Sequence, residues 1–349
     1  MEYFTFFIIM HFHGGDTPFK IELFLGLLSR NLFVLQFPLK ERGIYMSIIS
    51  NAIYGFTLGD AFGVPVEFQE RDTYKVEEMV GYGSWDVPAG TWSDDSAMMF
   101  ITMENLIRGK DINQLKQAFC DWAHRGYWTY NDEPAFDVGI TIREVINRWE
   151  RDGLHEKAKS DEFSNGNGAL MRILPIALWT YGKELQGDEL FLYVKEYAEL
   201  THGHIRSTLC CYHYTLVVHR LLEGIGAADS LIFANEALTE MLKQYPEEAS
   251  HFERLFTINE FSRADIASSG YVIDTLEAVY WSLLNSSNYY EAISTAVHLG
   301  KDTDTIGALT GGLAGLAYKK LNVPQQWFEM LPKRSNIQDL ISRFEEALK

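Results

Sequence analysis

Apolar residues recur at three- and four-residue steps through most of the chain from Met46 onward. Ile49, Ala52, Ile53 and Phe56 begin this pattern, which is typical of a helix with one face in a core. Similar stripes occupy four further stretches, Ala97–Ile107, Val138–Trp149, Leu209–Leu222 and Ile306–Leu321. Alternating strand-like runs are nearly absent, and no long linker divides the sequence. The pattern therefore predicts one compact, all-α, multi-helix domain over residues 46–349.

Residues 1–45 show a different pattern, and we interpret them as an N-terminal extension that the function does not need. Their apolar clumps, at 4–10 and 21–37, are interrupted by charged residues. No stretch reaches the roughly 18 uncharged residues of a transmembrane helix, so no transmembrane segment is expected. The start Met-Glu-Tyr lacks the basic residues of a signal peptide. An upstream start assigned in error would explain the extension, and an interfacial anchor is the alternative.

The balance of charge limits the classes of partner. A net charge of −18 at pH 7 argues against a nucleic-acid backbone or an anionic membrane as the main partner. A small anionic ligand stays compatible, because a local site can oppose the global field. Three cysteines, two of them adjacent at 210 and 211, make a poor disulfide framework and indicate a reducing compartment. We therefore expect a cytoplasmic protein.

Two helical stretches carry glycine at every fourth position, at 55, 59 and 63 and again at 307, 311 and 315. Glycine inside a helix costs about 1 kcal/mol relative to alanine, so three in register need a compensating gain. A bare ridge lets another helix approach closely. The first ridge abuts Asp60 and Glu67, and the second abuts Asp302 and Asp304. Close packing would hold these acids in a fixed relation.

Two acid-rich segments each precede a helical run, Ser-Asp-Asp at 93–95 and Asp-Thr-Asp-Thr at 302–305. One interpretation is structural, in which the first residue caps the helix and the acids complement the helix dipole. The other is a metal site, because clustered carboxylate and hydroxyl oxygens suit Mg²⁺, Mn²⁺ or Ca²⁺. Adjacent carboxylates also repel unless a cation lies between them. The segments are far apart in the chain, so the sequence does not show that they meet.

Two further segments can contact a ligand. The loop Ser164–Arg172 contains Gly-Asn-Gly at 166–168, where backbone N–H groups can converge and a following helix start would favour an anion. A plain helix-entry turn explains the same loop equally well. Thr201-His202-Gly203-His204 invites a zinc interpretation, but no third ligand lies at zinc spacing. An imidazole that contacts phosphate or sugar fits better, and a histidine bonded only to backbone is the structural alternative.

These segments, in this order, resemble the motifs of the ADP-ribosylglycohydrolase family. Gly-Asp-Ala-Phe-Gly-Val-Pro-Val-Glu-Phe at 59–68 resembles the family's opening motif, and Ser-Asp-Asp at 93–95 resembles its Thr-Asp-Asp metal motif. The 166–172 loop, the Thr201-His202 pair and Asp-Thr-Asp-Thr-Ile-Gly at 302–307 also match. The serine at 93 keeps the hydroxyl oxygen of the family's threonine. The resemblance covers about residues 46–335 and is highly specific.

The resemblance implies an all-α fold and two divalent cations, Mg²⁺ or Mn²⁺. The residues that would ligate the metals are Ser93, Asp94, Asp95, Asp302, Asp304 and Thr305. Glu67 would be an additional ligand or a gate for substrate. The residues that would contact ADP-ribose are Gly166, Asn167, Gly168 and His202. Asp137 resembles an acid near the leaving group in arginine-directed members of the family.

The implied reaction is hydrolysis of the glycosidic bond between ADP-ribose and an acceptor, which is a protein side chain or a small molecule. The metals would chelate ribose hydroxyls and activate a water, and Glu67, Asp95 or Asp304 would be the general base. Two alternatives stay open. The first is a catalytically weak ADP-ribose-binding or structural relative, and the second is a two-metal hydrolase that attacks the pyrophosphate.

Overall fold

The structure is a computed structural model that describes residues 7–8, 23–24 and 47–349. Residues 46–349 form one compact unit. Thirteen α-helices lie in the described part of it: α1 Ile48–Gly63, α2 Asp94–Ile107, α3 Ile112–Arg125, α4 Ile140–Asp152, α5 Leu174–Gly182, α6 Gly187–Ala198, α7 Ile205–Leu222, α8 Ala227–Leu242, α9 Val272–Leu284, α10 Tyr289–Val297, α11 Thr303–Tyr318, α12 Gln325–Met330 and α13 Arg334–Leu348. Short 3₁₀ helices occupy Val64–Val66, Leu170–Arg172, Pro246–His251, Leu255–Glu260 and Arg263–Asp265. The predicted all-α fold is confirmed for residues 47–349.

The N-terminal extension contributes two short strands, β1 Phe7–Ile8 and β2 Leu23–Phe24. They pair antiparallel, with Phe7 opposite Phe24. The interpretations of residues 1–45 as an upstream start or an interfacial anchor otherwise lie outside the described residues. Within the described parts of the chain, no helix combines the length and the hydropathy of a membrane span.

The predicted periodic stretches correspond to α1, α2, α4, α7 and α11, with small differences at their ends. The helix predicted from Val138 begins at Ile140, after Gly139 in an extended conformation with ψ 146°. The helix predicted to reach Leu321 ends at Tyr318, because Lys319 adopts the left-handed conformation with φ 55°. A left-handed residue stops the i to i−4 hydrogen-bond ladder. Periodicity thus located these helices within a few residues.

The two glycine ridges pack directly against each other. A Cβ atom built on Gly59 would lie 2.1 Å from the carbonyl oxygen of Gly307, and one on Gly55 would lie 2.5 Å from that of Gly311. The pairs run in opposite directions along the two helices, so α1 and α11 are antiparallel. No side chain larger than hydrogen fits at these positions without separating the backbones. The predicted close approach is confirmed, and its partner in each case is the other ridge.

This contact brings acids from the two ends of the sequence together. At the end of α1, a Cβ on Gly63 would lie 2.5 Å from the Cα of Asp304, and the Thr303 hydroxyl donates a 2.8 Å hydrogen bond to the Gly63 carbonyl. Asp60 lies one turn earlier in α1, fully buried. The beginning of α11 is therefore held beside the acid-bearing end of α1.

Candidate active site

Asp60 connects α1 to the beginning of α2 through four hydrogen bonds. Its Oδ1 accepts from the backbone N–H of Ser93 at 3.0 Å and from the Ser93 hydroxyl at 2.9 Å. Its Oδ2 accepts from the backbone N–H of Ser96 at 3.0 Å and from the Ser96 hydroxyl at 2.5 Å. Both oxygens are thus occupied by donors at the positive end of a helix. Asp60 orients the Ser93 side chain and fixes where α2 begins.

Hydroxyl groups from the two acid-rich segments meet at one carboxylate oxygen. Oδ2 of Asp95 lies 2.9 Å from the Ser93 hydroxyl and 3.2 Å from the Thr305 hydroxyl. The other oxygen, Oδ1, has no hydrogen-bond partner among the described residues although Asp95 is fully buried. An unpaired buried carboxylate oxygen is costly. This oxygen is oriented for a ligand that the protein chain itself does not supply.

Asp304 belongs to two groups of carboxylates whose oxygens lie within 4.8 Å of one another. One group is Asp60, Asp95 and Asp304, and the other is Glu67, Asp137 and Asp304. The backbone N–H of Thr305 donates to Asp304 Oδ1 at 2.9 Å. The segments at 93–95 and 302–305 therefore meet, with Asp304 at the junction and Glu67 and Asp137 on one side of it.

The carboxylates raise one another's pKa values. Burial, and then the charge of Asp304, raises the pKa of Asp60 to about 7 and that of Asp137 to about 7. Burial is also the main cause that raises the pKa values of Asp94, Asp95 and Asp302 well above their ordinary range, and neighbouring carboxylates add to it. Such repulsion is relieved by a divalent cation. The oxygen donors, the burial and the unpaired Asp95 Oδ1 fit a hard ion such as Mg²⁺ or Mn²⁺.

Glu67 follows the 3₁₀ turn at the end of α1 and faces an aromatic wall. The Trp85 indole N–H donates to Glu67 Oε2 at 2.5 Å. The Trp85 ring packs edge-on against Phe136 at 5.1 Å between centroids, and Phe136 precedes Asp137. Burial and the nearby Asp304 raise the pKa of Glu67 to about 11. Glu67 and Asp137 thus lie between the acid cluster and a largely aromatic surface.

Asp302 is tied to the Gly-Asn-Gly loop. It occupies the N-cap position of α11 but makes no capping hydrogen bond with its side chain, so its interpretation as a helix cap is wrong. Its Oδ2 instead accepts a 2.6 Å bond from the Asn167 amide. The same amide lies 3.0 Å from the Thr275 hydroxyl, and the Asn167 backbone N–H donates to the Gly270 carbonyl. Asn167 therefore positions the loop and Asp302 relative to each other.

The glycines of this loop lie against His202. A Cβ on Gly168 would be 2.7 Å from His202 Cε1, and one on Gly166 would be 3.3 Å from His202 Nε2. The loop continues into a single 3₁₀ turn, Leu170–Arg172. A helix start does follow the loop as predicted, but α5 begins only at Leu174, so the first helical residues after the Gly-Asn-Gly segment belong to the 3₁₀ turn.

The two histidines of the Thr201–His204 segment have different environments. His204 caps α7 by accepting from the backbone N–H of Arg206 at 3.2 Å. For His204 the structure therefore agrees with the structural alternative, a histidine bonded to backbone at a helix start. His202 is buried, and this burial lowers its pKa to about 3, so it is neutral at physiological pH. The nearby Arg172 charge lowers it further. A neutral histidine can donate to a ligand from one ring nitrogen only.

The predicted site residues thus form one connected region. Asp304 links the acid-rich segments to Glu67 and Asp137. Asp302 links them to the Gly-Asn-Gly loop, which lies against His202. Two contributors lay outside the prediction. Asp60 had been noted only as an acid beside the ridge, although a single acid inside an apolar helix signals a buried polar network. Trp85 had no signal, because an aromatic residue in a loop is not distinctive.

The carboxylate cluster predicts how stability depends on pH when metal is removed. Carboxylates with raised folded-state pKa values bind protons that the unfolded chain has released, so stability falls as pH rises toward those values. Up to pH ~7.5 the buried histidines oppose this trend, because they are neutral in the folded state while the unfolded chain is still partly protonated at them. We therefore expect the melting temperature in EDTA to fall between pH ~7.5 and ~9, and Mg²⁺ to reduce that fall. A melting temperature in EDTA that rises across this interval contradicts the prediction.

Comparison with known proteins identifies related sequences across most of the chain. A model of the family described as ADP-ribosylglycohydrolase matches residues 43–349. An ADP-ribosylarginine hydrolase of Pseudomonas putida is 31% identical over 83% of this chain and 75% of its own length. The ADP-ribosyl-[dinitrogen reductase] glycohydrolase of Rhodospirillum rubrum is 29% identical over 80% of this chain and 88% of its own.

Similarity extends to solved structures. A chain described as an ADP-ribosylglycohydrolase-related protein complex superposes with a TM-score of 0.69 and 25% identity. The superposition covers 86% of this chain and 98% of the solved one. The helical fold thus belongs to a known architecture.

Proposed function

The chain belongs to the ADP-ribosylglycohydrolase family and is a hydrolase that cleaves ADP-ribose from an acceptor, and on that premise we propose that its acceptor is arginine and that it uses two divalent cations. The observation that carries the proposal is a group of seven carboxylates that includes Asp304: those at 60, 67, 95 and 137 lie close to it, and its charge also raises the pKa values of Asp94 and Asp302. A divalent cation relieves the repulsion within such a cluster at neutral pH. Hydroxyl and carboxylate oxygens favour Mg²⁺ or Mn²⁺.

The metal ligands that we propose are six of the seven residues in the two acid-rich segments: Ser93, Asp94, Asp95, Asp302, Asp304 and Thr305. When bound, the cations would supply Lewis-acid activation of a water and of the ribose hydroxyls. Other side chains of the protein orient these proposed ligands. Asp60 directs the Ser93 hydroxyl, and Asn167 directs Asp302. Glu67, Asp95 and Asp304 all belong to these carboxylate groups, and we propose that one of them accepts the proton of the attacking water.

ADP-ribose would be bound by the loop at 166–168 and by His202. Glycine at 166 and 168 lets the loop backbone lie directly against the edge of the His202 ring. Asn167 would act through its hold on Asp302 and the loop, because its amide and its backbone N–H are already bonded within the protein. This arrangement places the loop directly beside the proposed metal ligand Asp302.

An arginine acceptor is supported by a cleft beside the acid cluster. The cleft is lined by both acids and aromatic rings, and its lining residues include Asp94, Asp137, Trp92, Trp122, Tyr130 and Phe136. A guanidinium group pairs with carboxylates and stacks on aromatic faces. The Pseudomonas putida relative is named for hydrolysis of ADP-ribosylarginine. We propose that Asp137 contacts the guanidinium as it leaves.

A panel of substrates tests this proposal. ADP-ribose linked to arginine, serine or a nucleobase is incubated with the protein, with and without EDTA, and products are identified by mass spectrometry. We expect EDTA-sensitive release of intact ADP-ribose, fastest from arginine. Release of AMP would instead show attack on the pyrophosphate, and tight binding without release would show a binding protein.

Asp137→Asn is expected to slow hydrolysis of ADP-ribosylarginine by about tenfold to a hundredfold, because the amide cannot balance the guanidinium charge. The loss should be smaller with an uncharged acceptor. Asp229→Asn, at an exposed position in the first turn of α8, is the matched control. Equal losses on charged and uncharged acceptors would contradict a contact between Asp137 and the guanidinium.

The cysteines support a proposal for the compartment. Cys120, Cys210 and Cys211 are all buried free thiols. We propose a reducing, cytoplasmic location, in which buried thiols persist unpaired.

A further inference from the structure

Arg172 is a buried cation without an acidic partner among residues 47–349. Its side chain is fully buried, and its Nη2 donates to the Tyr197 carbonyl at 2.9 Å and to the Thr201 hydroxyl at 2.8 Å. Its Nε and Nη1 have no hydrogen-bond partner among the described residues. The guanidinium lies over the Phe119 ring at 5.3 Å from the centroid. Burying such a group without a carboxylate destabilises the fold, so its place here needs a further reason.

The Thr201 hydroxyl transmits the orientation of Arg172 to His202. Its oxygen accepts from Arg172 and lies 2.9 Å from Nδ1 of His202. Thr201 is fully buried, and His202 Nδ1 is the only acceptor for its proton among the described residues. If Nδ1 carried the proton, the hydroxyl hydrogen would be left without an acceptor, which is costly in a buried site. Nδ1 therefore accepts, and the imidazole proton is on Nε2.

The Nε2 atom faces the ligand-binding loop. It lies 3.3 Å from the Cβ positions of both Gly166 and Gly168, and no described residue forms a hydrogen bond with it. Any side chain at these two loop positions would crowd this edge of the ring. The two glycines thus leave the N–H of a neutral imidazole directed toward the loop.

We propose that Arg172 is a positioning residue, which acts through Thr201 to fix His202 as the neutral Nε2–H tautomer, so that this N–H donates to an oxygen of the ADP-ribosyl group. The proposal rests on the proposed function for the identity of the ligand. The opposite tautomer would present a lone pair to an anionic or carbonyl-like oxygen and repel it. The hydrogen bonds from Arg172 through Thr201 to His202, which we call the relay, therefore give the ligand a donor without a positive charge on His202.

The tautomer is measured directly by ¹⁵N NMR of the metal-loaded protein labelled at histidine. The ten histidines are resolved by comparison with His202→Gln. We expect an unprotonated Nδ1 and a protonated Nε2 for His202 in the wild type and in Thr201→Ser, which keeps the hydroxyl. Thr201→Val has nearly the same shape but no hydroxyl, and it should give a mixture of tautomers. A His202 proton on Nδ1 in the wild type overturns the proposal.

Binding of free ADP-ribose, followed by calorimetry with Mg²⁺ present, provides the second readout. We expect about tenfold weaker binding for Thr201→Val and Arg172→Met and little change for Thr201→Ser. Arg172→Met also removes a buried charge, so its melting temperature should not fall with its affinity. In the His202→Gln background the same substitutions should have no further effect. Equal losses in both backgrounds show a merely structural role and overturn the proposal.

These measurements separate the relay from the proposed function. If the wild type does not bind ADP-ribose, the proposed function fails together with the donor role of His202, whatever the tautomer. If it binds ADP-ribose but Thr201→Val keeps both the tautomer and the affinity of the wild type, only the relay is wrong.

Discussion

Asp304→Asn abolishes hydrolysis, with a loss of at least about a hundredfold in turnover, and leaves the helical circular dichroism spectrum intact. Asp304 is the one carboxylate shared by both acid groups of the site. Loss of its charge removes a proposed ligand and weakens metal binding. The side chain is nearly isosteric, and its backbone-bonded oxygen is retained as an amide oxygen. The fold therefore has no reason to change.

The same substitution should not lower the stability of the metal-free protein. Removing one charge from a cluster of mutually repelling carboxylates makes the apo form no less stable than the wild type. Melting temperatures with EDTA and with Mg²⁺ measure this, and the stabilisation by Mg²⁺ should disappear in the variant. Asp229→Asn should keep both turnover and Mg²⁺ stabilisation. Unchanged turnover in Asp304→Asn removes this residue from the site.

Gly59→Ala destabilises the protein by about 3 kcal/mol or more, against the ordinary preference for alanine in helices. In an unconstrained helix this change stabilises by up to about 1 kcal/mol. Here the new methyl would lie 2.1 Å from the Gly307 carbonyl oxygen, so α1 and α11 must separate. Urea unfolding measures the free energy of unfolding. Because Asp60 and Asp304 separate with the helices, Mg²⁺ affinity should fall as well.

Gly226→Ala is the matched control for this prediction. Gly226 precedes α8 with φ −66°, and a Cβ there meets no atom within 4 Å. Its substitution should change the free energy of unfolding by less than about 1 kcal/mol. If Gly59→Ala stabilises the protein as an ordinary helical glycine substitution would, the glycine ridges do not set the distance between the two helices.

Local periodicity was sufficient to predict the helical fold. The three- and four-residue spacing of apolar residues located α1, α2 and α11, although these helices are buried on nearly every face and not on one face only. The glycine ridges also predicted a close approach. Which helix lies against each ridge was not predictable, because the pairing depends on long-range packing that leaves no local pattern. The end of α11 was missed for a related reason, since a left-handed lysine at 319 has no strong sequence signal.

The site was predictable in its members but less so in its connections. Ser93 caps α2 as the structural interpretation requires, yet it also contacts Asp60 and Asp95, so the two interpretations are compatible. Asp302 resembled a cap in sequence and is instead bonded to Asn167. Hydrogen bonds between side chains from distant segments decide such roles, and sequence spacing does not encode them. The relay from Arg172 to His202 is hidden for the same reason.

The central claim, that the two acid-rich segments form one metal centre, is tested most directly by crystals grown with Mn²⁺. Anomalous diffraction at the manganese edge locates the ions independently of any assumed ligand. The account predicts two peaks, about 3.5–4 Å apart, within bonding distance of the carboxylates at 94, 95, 302 and 304. Peaks elsewhere on the protein, or none at a Mn²⁺ concentration that supports turnover, would contradict it.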